Sequence, residues 1–133
     1  MKILGIDHIG IAIRDIRKGS EFYGGCLSLN VSKPIDVSSQ KVRIAFMEIG
    51  NTKLELLEPL GEDSPVEKFI QKKGEGLHHI CLLVDDIDNA LAELKEKKVK
   101  LVDQKPRVGA TGKRIAFLHP ESSSGVLIEL KER

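Results

Sequence analysis

Several features that mark whole classes of protein are scarce in this sequence. Its 133 residues include only two cysteines, Cys26 and Cys81, which argues against a disulfide framework and is typical of reduced thiols. A net charge of +1, with the lysines scattered among acids, gives no basis for binding nucleic acid. No apolar run approaches a membrane span, and residues 1–5 are too soon interrupted for a signal peptide. The sequence therefore predicts a cytoplasmic protein with no membrane or nucleic-acid partner.

What the sequence does contain is an internal repeat. Two pairs of stretches match at a spacing of 71 residues: 7–16 with 78–87, and 43–47 with 114–118. The first pair aligns His8 with His79, so each copy carries a histidine near its start. Two matches at one fixed spacing indicate a duplicated module.

The length of the chain limits how the two copies can be stable. A module of roughly 65 to 70 residues would bury too small a fraction of its surface to be reliably stable by itself. We therefore expect a single domain over 1–133 with a shared core, which the hydrophobic content of 41% supports. The expected parts are module one over 3–60, a connecting helix over 64–73 and module two over 77–131.

Hydrophobic periodicity predicts the order β-α-β-β-β in both modules. We expect helices over 16–27, 64–72 and 87–98, begun by Asp15, Ser64 and Asp86. The expected strands are 3–14, 31–37, 42–49, 53–58, 77–84, 100–102, 114–118 and 126–130, with a loop over 103–113. In the first strand we expect the face of Ile9, Ile11 and Ile13 to be buried, and in the first helix the side of Ile16, Phe22, Tyr23 and Leu27.

Each module also carries a glutamate in its last strand. Glu55 and Glu129 each lie between two apolar residues, so strand alternation turns the carboxylates away from the apolar face. Together with His8 and His79 they form a suitable ligand set for a divalent first-row metal, with two positions left for water or substrate. Such a set is compatible with Co²⁺, Mn²⁺, Ni²⁺, Fe²⁺ or Zn²⁺.

A single strand histidine is usually a hydrogen-bonded core residue, and a strand glutamate usually faces solvent. The metal hypothesis depends on the repeat, because both pairs occupy matching positions. His78 is better explained as a residue that supports a ligand or lies at the surface, and His119 as a loop residue. The basic residues of the later loop could meet substrate phosphates, although such loops are more often merely solvated: Lys105, Arg107, Lys113 and Arg114.

Several stretches resemble the vicinal-oxygen-chelate superfamily, and within it the methylmalonyl-CoA epimerases. They are 8–13, 52–60, 63–66, 74–80, 112–120 and 125–130. The resemblance implies an α+β fold in which two tandem βαβββ modules form a cupped mixed sheet around one metal site. It also implies an acyl-CoA substrate, a divalent metal (Co²⁺ above the others) and a homodimer.

Carried over by residue, the resemblance implies His8, Glu55, His79 and Glu129 as metal ligands, although some members have glutamine where Glu55 stands. Glu129 would also act as a base on the substrate α-carbon. The family has a second carboxyl at the position of Ile44, where this chain has none. Glu48 shares the strand parity of Ile44 and is the candidate for that role.

The reaction implied is epimerisation of (R)- and (S)-methylmalonyl-CoA by 1,1-proton transfer through a metal-stabilised enolate. The nearest rival is a glyoxalase I (lactoylglutathione lyase) type isomerisation of a glutathione hemithioacetal, which uses a similar four-ligand site. An extradiol-type dioxygenase is disfavoured, since it needs two histidines and only one carboxylate. A metal-free small-molecule-binding module on the same fold is the remaining alternative.

Overall fold

A computed structural model describes residues 1–133. Its strands are β1 Ile3–Ala12, β2 Ile35–Val37, β3 Val42–Ile49, β4 Thr52–Pro59, β5 Gly76–Val84, β6 Arg107–Val108, β7 Arg114–Leu118 and β8 Ile128–Glu132. Its α-helices are α1 Ile16–Ser20, α2 Pro65–Lys73 and α3 Ile87–Glu96. A π-helical turn, Glu21–Cys26, follows α1, and two 3₁₀ helices lie at Ser38–Gln40 and Pro120–Ser122. None of the helices combines the length and apolarity needed to cross a membrane.

The chain forms two compact units whose boundaries fall inside β1 and β5. One unit consists of Met1–His8 and His79–Arg133, and the other consists of Ile9–His78. The α+β class and the repeated β-α-β-β-β order are as the sequence predicts. The start of β1 groups with the strands of the second repeat, so the compact units do not coincide with the repeated modules.

In the unit Ile9–His78 the strand order is β2-β3-β4-β1. β3 and β4 pair antiparallel, with Ile44 opposite Leu57 and Phe46 opposite Glu55. The two faces of this pair are covered by different helices. On one, Ile16 of α1 packs with Ala45, Met47 and Leu56. On the other, Val66 and Ile70 of α2 pack with Ile44 and Leu57.

In the unit formed by Met1–His8 and His79–Arg133 the strand order is β1-β5-β8-β7-β6. β8 pairs parallel with β5 and antiparallel with β7. The predicted apolar side of α3 is confirmed, since its members are all buried: Ile87, Ala90, Leu91 and Leu94. They pack against Val84, Ala116 and Leu130, which occupy one face of the strands. Register places Cys81, Glu129 and Phe117 on the opposite face.

The predicted helix starts are confirmed. In each repeat, the start of the first helix also receives a second side-chain acceptor. Asp15 and Asp86 accept hydrogen bonds from backbone amides in the first turns of α1 and α3. In addition, Glu58 accepts the amide N–H of Ile16 at 2.8 Å, and Glu132 accepts that of Ile87 at 3.1 Å. We call each of these glutamates a helix clamp. The sequence reading missed both clamps.

An arginine donates a hydrogen bond to each helix clamp. Arg43 donates to Glu58 at 3.1 Å, and Arg114 donates to Glu132 at 2.9 Å. The two arginines are themselves 71 residues apart. The duplication has therefore preserved a charged contact that ties the last strand of each repeat to the start of its first helix.

The first predicted helix changes character part-way. Leu27 donates its amide hydrogen to the carbonyl of Phe22, the i→i+5 bond of a π-helix. The α-helical spacing that predicted an inward face therefore fails in this turn. Phe22 and Leu27 are 52% and 51% exposed, so their assignment to the core was wrong, whereas Ile16 is buried as expected.

Other differences concern short strands. Pro34 lacks an amide hydrogen, and the predicted strand 31–37 contracts to β2 with a single bridge at Val31. The predicted strand 100–102 is one bridge at Leu101, while β6 forms inside the predicted loop 103–113. In β1 the isoleucine face is only half-buried, whereas the opposite face is buried: His8, Gly10 and Ala12.

Candidate metal centre

Three predicted ligands converge within the unit Met1–His8 and His79–Arg133. The Nε2 atoms of His8 and His79 lie 3.0 Å apart. The carboxylate oxygen Oε2 of Glu129 lies 3.2 Å from Nε2 of His8 and 2.9 Å from Nε2 of His79. The arrangement is a compact triangle of two nitrogen donors and one oxygen donor.

Adjacent strands supply this triangle. The order β1-β5-β8 places the strands of His8, His79 and Glu129 side by side. All three residues are buried, at 5%, 5% and 6% exposure. The rings of His79 and Phe117 pack in a T-shaped arrangement with centroids 5.7 Å apart, and Phe117 is the β7 partner of Glu129. Phe117 is thus an apolar neighbour of the triangle.

The spacing of the three donors fits one shared metal ion. With metal–ligand distances of about 2.1 Å, two ligand atoms on the same ion are about 3.0 to 3.4 Å apart. The separations of 3.0, 3.2 and 2.9 Å between the three donor atoms lie close to this range. Two imidazoles and one carboxylate are also donors that divalent first-row metals accept. The residues present therefore fit a divalent metal.

His8 has a second polar contact on the far side of its ring. Its Nδ1 lies 2.8 Å from Oδ2 of Asp7. Burial raises the pKa of Asp7, but the hydrogen bond from His8 and the charge of Lys131 outweigh it, so the pKa lies below its ordinary value. The ionised carboxylate only accepts, so Nδ1 of His8 carries a hydrogen. Nε2 is therefore the ring nitrogen that would offer its lone pair to a metal ion, once the ion displaces any hydrogen from it.

Glu129 is held in its charged form. Burial raises the pKa of its carboxyl, but hydrogen bonds from His79 and His8, together with their charge, outweigh this and lower the pKa to about 2. A carboxylate that stays ionised is ready to bind a cation. The same low pKa makes it a weak base, because a general base works best with a pKa near the working pH.

The two other predicted site residues lie in the unit Ile9–His78. Glu55 is buried on β4, opposite Phe46 of β3. Glu48 shares that face but is exposed, near the end of β3 and opposite Lys53. Ile44, at the position of the family's second carboxyl, is buried in the apolar cluster under α2. The roles of Glu55 as ligand and Glu48 as second acid–base group stay predictions.

The remaining polar candidates have mostly structural partners. His78 packs its ring against Phe69, and His119 accepts the amide hydrogen of Glu121 at the start of a 3₁₀ helix. Arg114 donates to the helix clamp Glu132 and also pairs with Asp88 at 2.9 Å. Arg107 lies over the Phe117 ring, 5.4 Å from its centroid. Arg107 thus contacts a neighbour of the triangle.

Comparison with known proteins identifies the family of this chain. Residues 7–117 match the family described as Glyoxalase/Bleomycin resistance protein/Dioxygenase superfamily. The chain belongs to this superfamily. Methylmalonyl-CoA epimerase, mitochondrial, from Homo sapiens is 43% identical over 128 residues, covering 96% of this chain and 73% of the human protein. The predicted membership is confirmed, and so is the resemblance to the methylmalonyl-CoA epimerases.

Solved structures of the superfamily are also close. A Streptomyces coelicolor methylmalonyl-CoA epimerase variant in complex with 2-nitronate-propionyl-CoA superposes with a TM-score of 0.92 at 40% identity, covering 98% of this chain and 95% of the other. A probable lactoylglutathione lyase from Synechocystis is more distant, at 29% identity over 92% of this chain and 91% of that protein. Within the superfamily, the chain is thus more similar to these epimerases than to this lyase.

Proposed function

We propose that this chain is a metal-dependent methylmalonyl-CoA epimerase that interconverts the (R) and (S) forms by 1,1-proton transfer. The observation that carries the proposal is the buried triangle of His8, His79 and Glu129 in a chain that is 43% identical to the human epimerase over nearly its full length. A triangle of donors without this likeness would suggest only a metal, and the likeness without the donors would suggest only the fold.

The substrate class follows from the relatives. The Streptomyces coelicolor epimerase binds 2-nitronate-propionyl-CoA, so an acyl-CoA ligand is the natural expectation for a chain of 40% identity. The lactoylglutathione lyase alternative has weaker support, since the relative of that name is only 29% identical. The metal-free binding module is disfavoured because the three converging donors are intact.

In this proposal His8, His79 and Glu129 hold the ion through Nε2, Nε2 and Oε2. A bound divalent ion would supply Lewis-acid chemistry, stabilising the negative charge that develops beside the thioester when the α-proton leaves. The specific metal stays open, with Co²⁺ our preferred expectation. Glu55 is the predicted fourth ligand, and its burial on β4 is a property that a ligand requires.

Inversion at the α-carbon needs one group to remove a proton and another to return one on the opposite face. Glu129 is our candidate for the first group. Its pKa of about 2 keeps it ionised, and substrate binding would need to raise its basicity for proton removal. Glu48 is the only candidate that the sequence offers for the second group. Its exposure makes this the weaker of the two assignments.

The decisive experiment incubates the metal-loaded protein with methylmalonyl-CoA in D₂O and follows α-deuterium incorporation by NMR. We expect exchange that depends on added metal and stops with a chelator. Consumption of the methylglyoxal–glutathione hemithioacetal is measured in parallel. Turnover of the hemithioacetal without exchange in methylmalonyl-CoA would replace this proposal with the lyase. The homodimer and the cytoplasmic location stay predictions.

A further inference from the structure

We propose that Asp7 and Lys131 are positioning residues for the metal ligand His8. Asp7 accepts the Nδ1–H of His8, and Lys131 holds Asp7 in the orientation that this bond needs. The inference rests on the metal centre of the proposed function and adds two residues to it.

The contacts form a short chain that ends at the donor triangle. Nδ1 of His8 lies 2.8 Å from Oδ2 of Asp7, and Nζ of Lys131 lies 3.2 Å from the same oxygen. The opposite nitrogen of the His8 ring, Nε2, is the one that meets His79 and Glu129. Oδ2 of Asp7 therefore contacts both the ammonium group of Lys131 on β8 and the imidazole ring of the predicted ligand His8.

Lys131 stands in an unusual place for a lysine. Its side chain is only 11% exposed, and burying a lysine disfavours its charged form unless a partner compensates. Alternation along β8 places Lys131 on the face of Glu129, away from the apolar core under α3. Asp7, whose side chain is 14% exposed, supplies the compensating charge.

The fold of a βαβββ module does not itself require this ion pair. In the first repeat, Leu57 occupies the place of Lys131, and in the second repeat His78 occupies the place of Asp7. The pair thus breaks the internal symmetry at two positions, and both changes concern the surroundings of His8. A role specific to His8 accounts for this asymmetry, whereas general stabilisation of the module would not.

The physical effect on His8 is twofold. The hydrogen bond to Asp7 fixes the ring orientation and keeps a hydrogen on Nδ1, so Nε2 is the nitrogen that would offer its lone pair to a metal ion. The negative charge on Asp7 also makes that nitrogen a stronger donor. Loss of such a partner typically lowers metal affinity by about 10- to 100-fold.

The test titrates Co²⁺ into the purified full-length protein and follows visible d–d absorption, which reports affinity and coordination geometry together. Asp7→Ala should bind Co²⁺ about 10- to 100-fold more weakly, with an altered spectrum. Asp7→Asn should lose less, because the amide oxygen still accepts the Nδ1 hydrogen. Lys131→Met, which keeps the side-chain stem, should fall between wild type and Asp7→Ala.

Glu67→Gln is the matched control, since it weakens the ion pair with Arg14 in the unit Ile9–His78. It should lower the melting temperature without changing Co²⁺ affinity. Circular dichroism verifies folding of every variant, and if Asp7→Ala does not fold, Asp7→Asn and Lys131→Met decide the test.

Two results would contradict the inference in different ways. If folded Asp7 and Lys131 variants bind Co²⁺ as wild type does, with the same spectrum, the pair only stabilises the fold. The positioning role is then wrong, while the proposed function is unaffected. If the wild-type protein itself binds no Co²⁺, the metal centre of the proposed function fails and the inference fails with it.

Discussion

Glu129 combines two properties that usually oppose each other, because it is both buried and ionised. Desolvation by itself would favour the neutral acid. The two imidazoles at 2.9 and 3.2 Å reverse that preference. The residue is therefore prepared to bind a cation before one arrives, and its base function would be expressed only with substrate in place.

Replacing this carboxylate tests both roles. We expect Glu129→Gln to weaken metal binding and to reduce α-proton exchange in methylmalonyl-CoA by about 10² to 10⁴-fold, because the amide keeps the size of the side chain but neither the charge nor the basicity. Deuterium incorporation at saturating metal separates the two effects. Glu62→Gln, an exposed change, is the control. Near wild-type exchange in Glu129→Gln would exclude it as the base.

The low pKa of Glu129 also predicts how the metal-free protein responds to acid. The folded carboxyl has a pKa of about 2, against an ordinary value of 4.5. Its stabilising contribution is therefore full above about pH 4.5 and is lost as the pH falls toward 2, since only the unfolded chain binds the proton in that interval. Urea unfolding at stepped pH should show a smaller loss in Glu129→Gln than in wild type. An identical loss in both would contradict the assignment.

Glu55 can be tested by comparing two replacements. Some family members carry glutamine at this position, so Glu55→Gln should keep most of the affinity for Co²⁺. Glu55→Ala removes the donor oxygen and should weaken binding by at least about tenfold, in line with loss of a metal contact. The titration used for Asp7 measures both. Equal affinity in wild type and Glu55→Ala would remove Glu55 from the ligand set.

The helix clamps show how one sequence device recurs in the two repeats. In each, a glutamate from the last strand accepts the first amide hydrogen of the first helix of that repeat and a hydrogen bond from an arginine. The first amides of a helix have no partner within it, so an external acceptor is stabilising. The last strand of each repeat is thus joined to its first helix by charged contacts at the start of the helix as well as by apolar packing.

Glu132→Ala should lower the free energy of unfolding by about 1–2 kcal/mol, the usual effect of losing a helix-cap acceptor. The corresponding change Glu58→Ala should behave alike in the other repeat. Chemical denaturation measures both, with Glu121→Ala, an exposed partner of Lys100, as the control. Co²⁺ affinity should stay unchanged in all three, because none of these side chains belongs to the triangle. A marked loss of affinity in Glu132→Ala would mean that the clamp also supports the metal centre.

For the molecule as a whole, the metal should stabilise the folded state. A ligand that binds only the folded form at 100 times its Kd adds about 2.7 kcal/mol. Thermal unfolding with and without Co²⁺ should therefore show a higher melting temperature with the ion, and a chelator should reverse it. His8→Ala should abolish the increase. A persistent increase in that variant would indicate a different binding site.

Much of this architecture could be predicted because the chain contains the same pattern twice. The alternation of apolar residues correctly predicted β3 and β7, and the capping residues predicted the start of each α-helix. All the residues predicted for the apolar side of α3 are buried. Prediction failed where hydrogen bonding departs from regular periodicity. The π-helical turn rotated Phe22 and Leu27 out of the core, and strand edges near Pro34 shortened because proline cannot donate a backbone hydrogen bond.

By itself the sequence determined which histidines and glutamates repeat, and it therefore predicted which donors a metal would meet. The tertiary structure decided what surrounds them. Asp7 lies next to His8 in sequence, but Lys131 is 124 residues from Asp7, and only strand order and register bring its ammonium to that carboxylate. Periodicity reports which face a residue occupies, whereas a contact between distant strands depends on the whole sheet, and no local pattern records it.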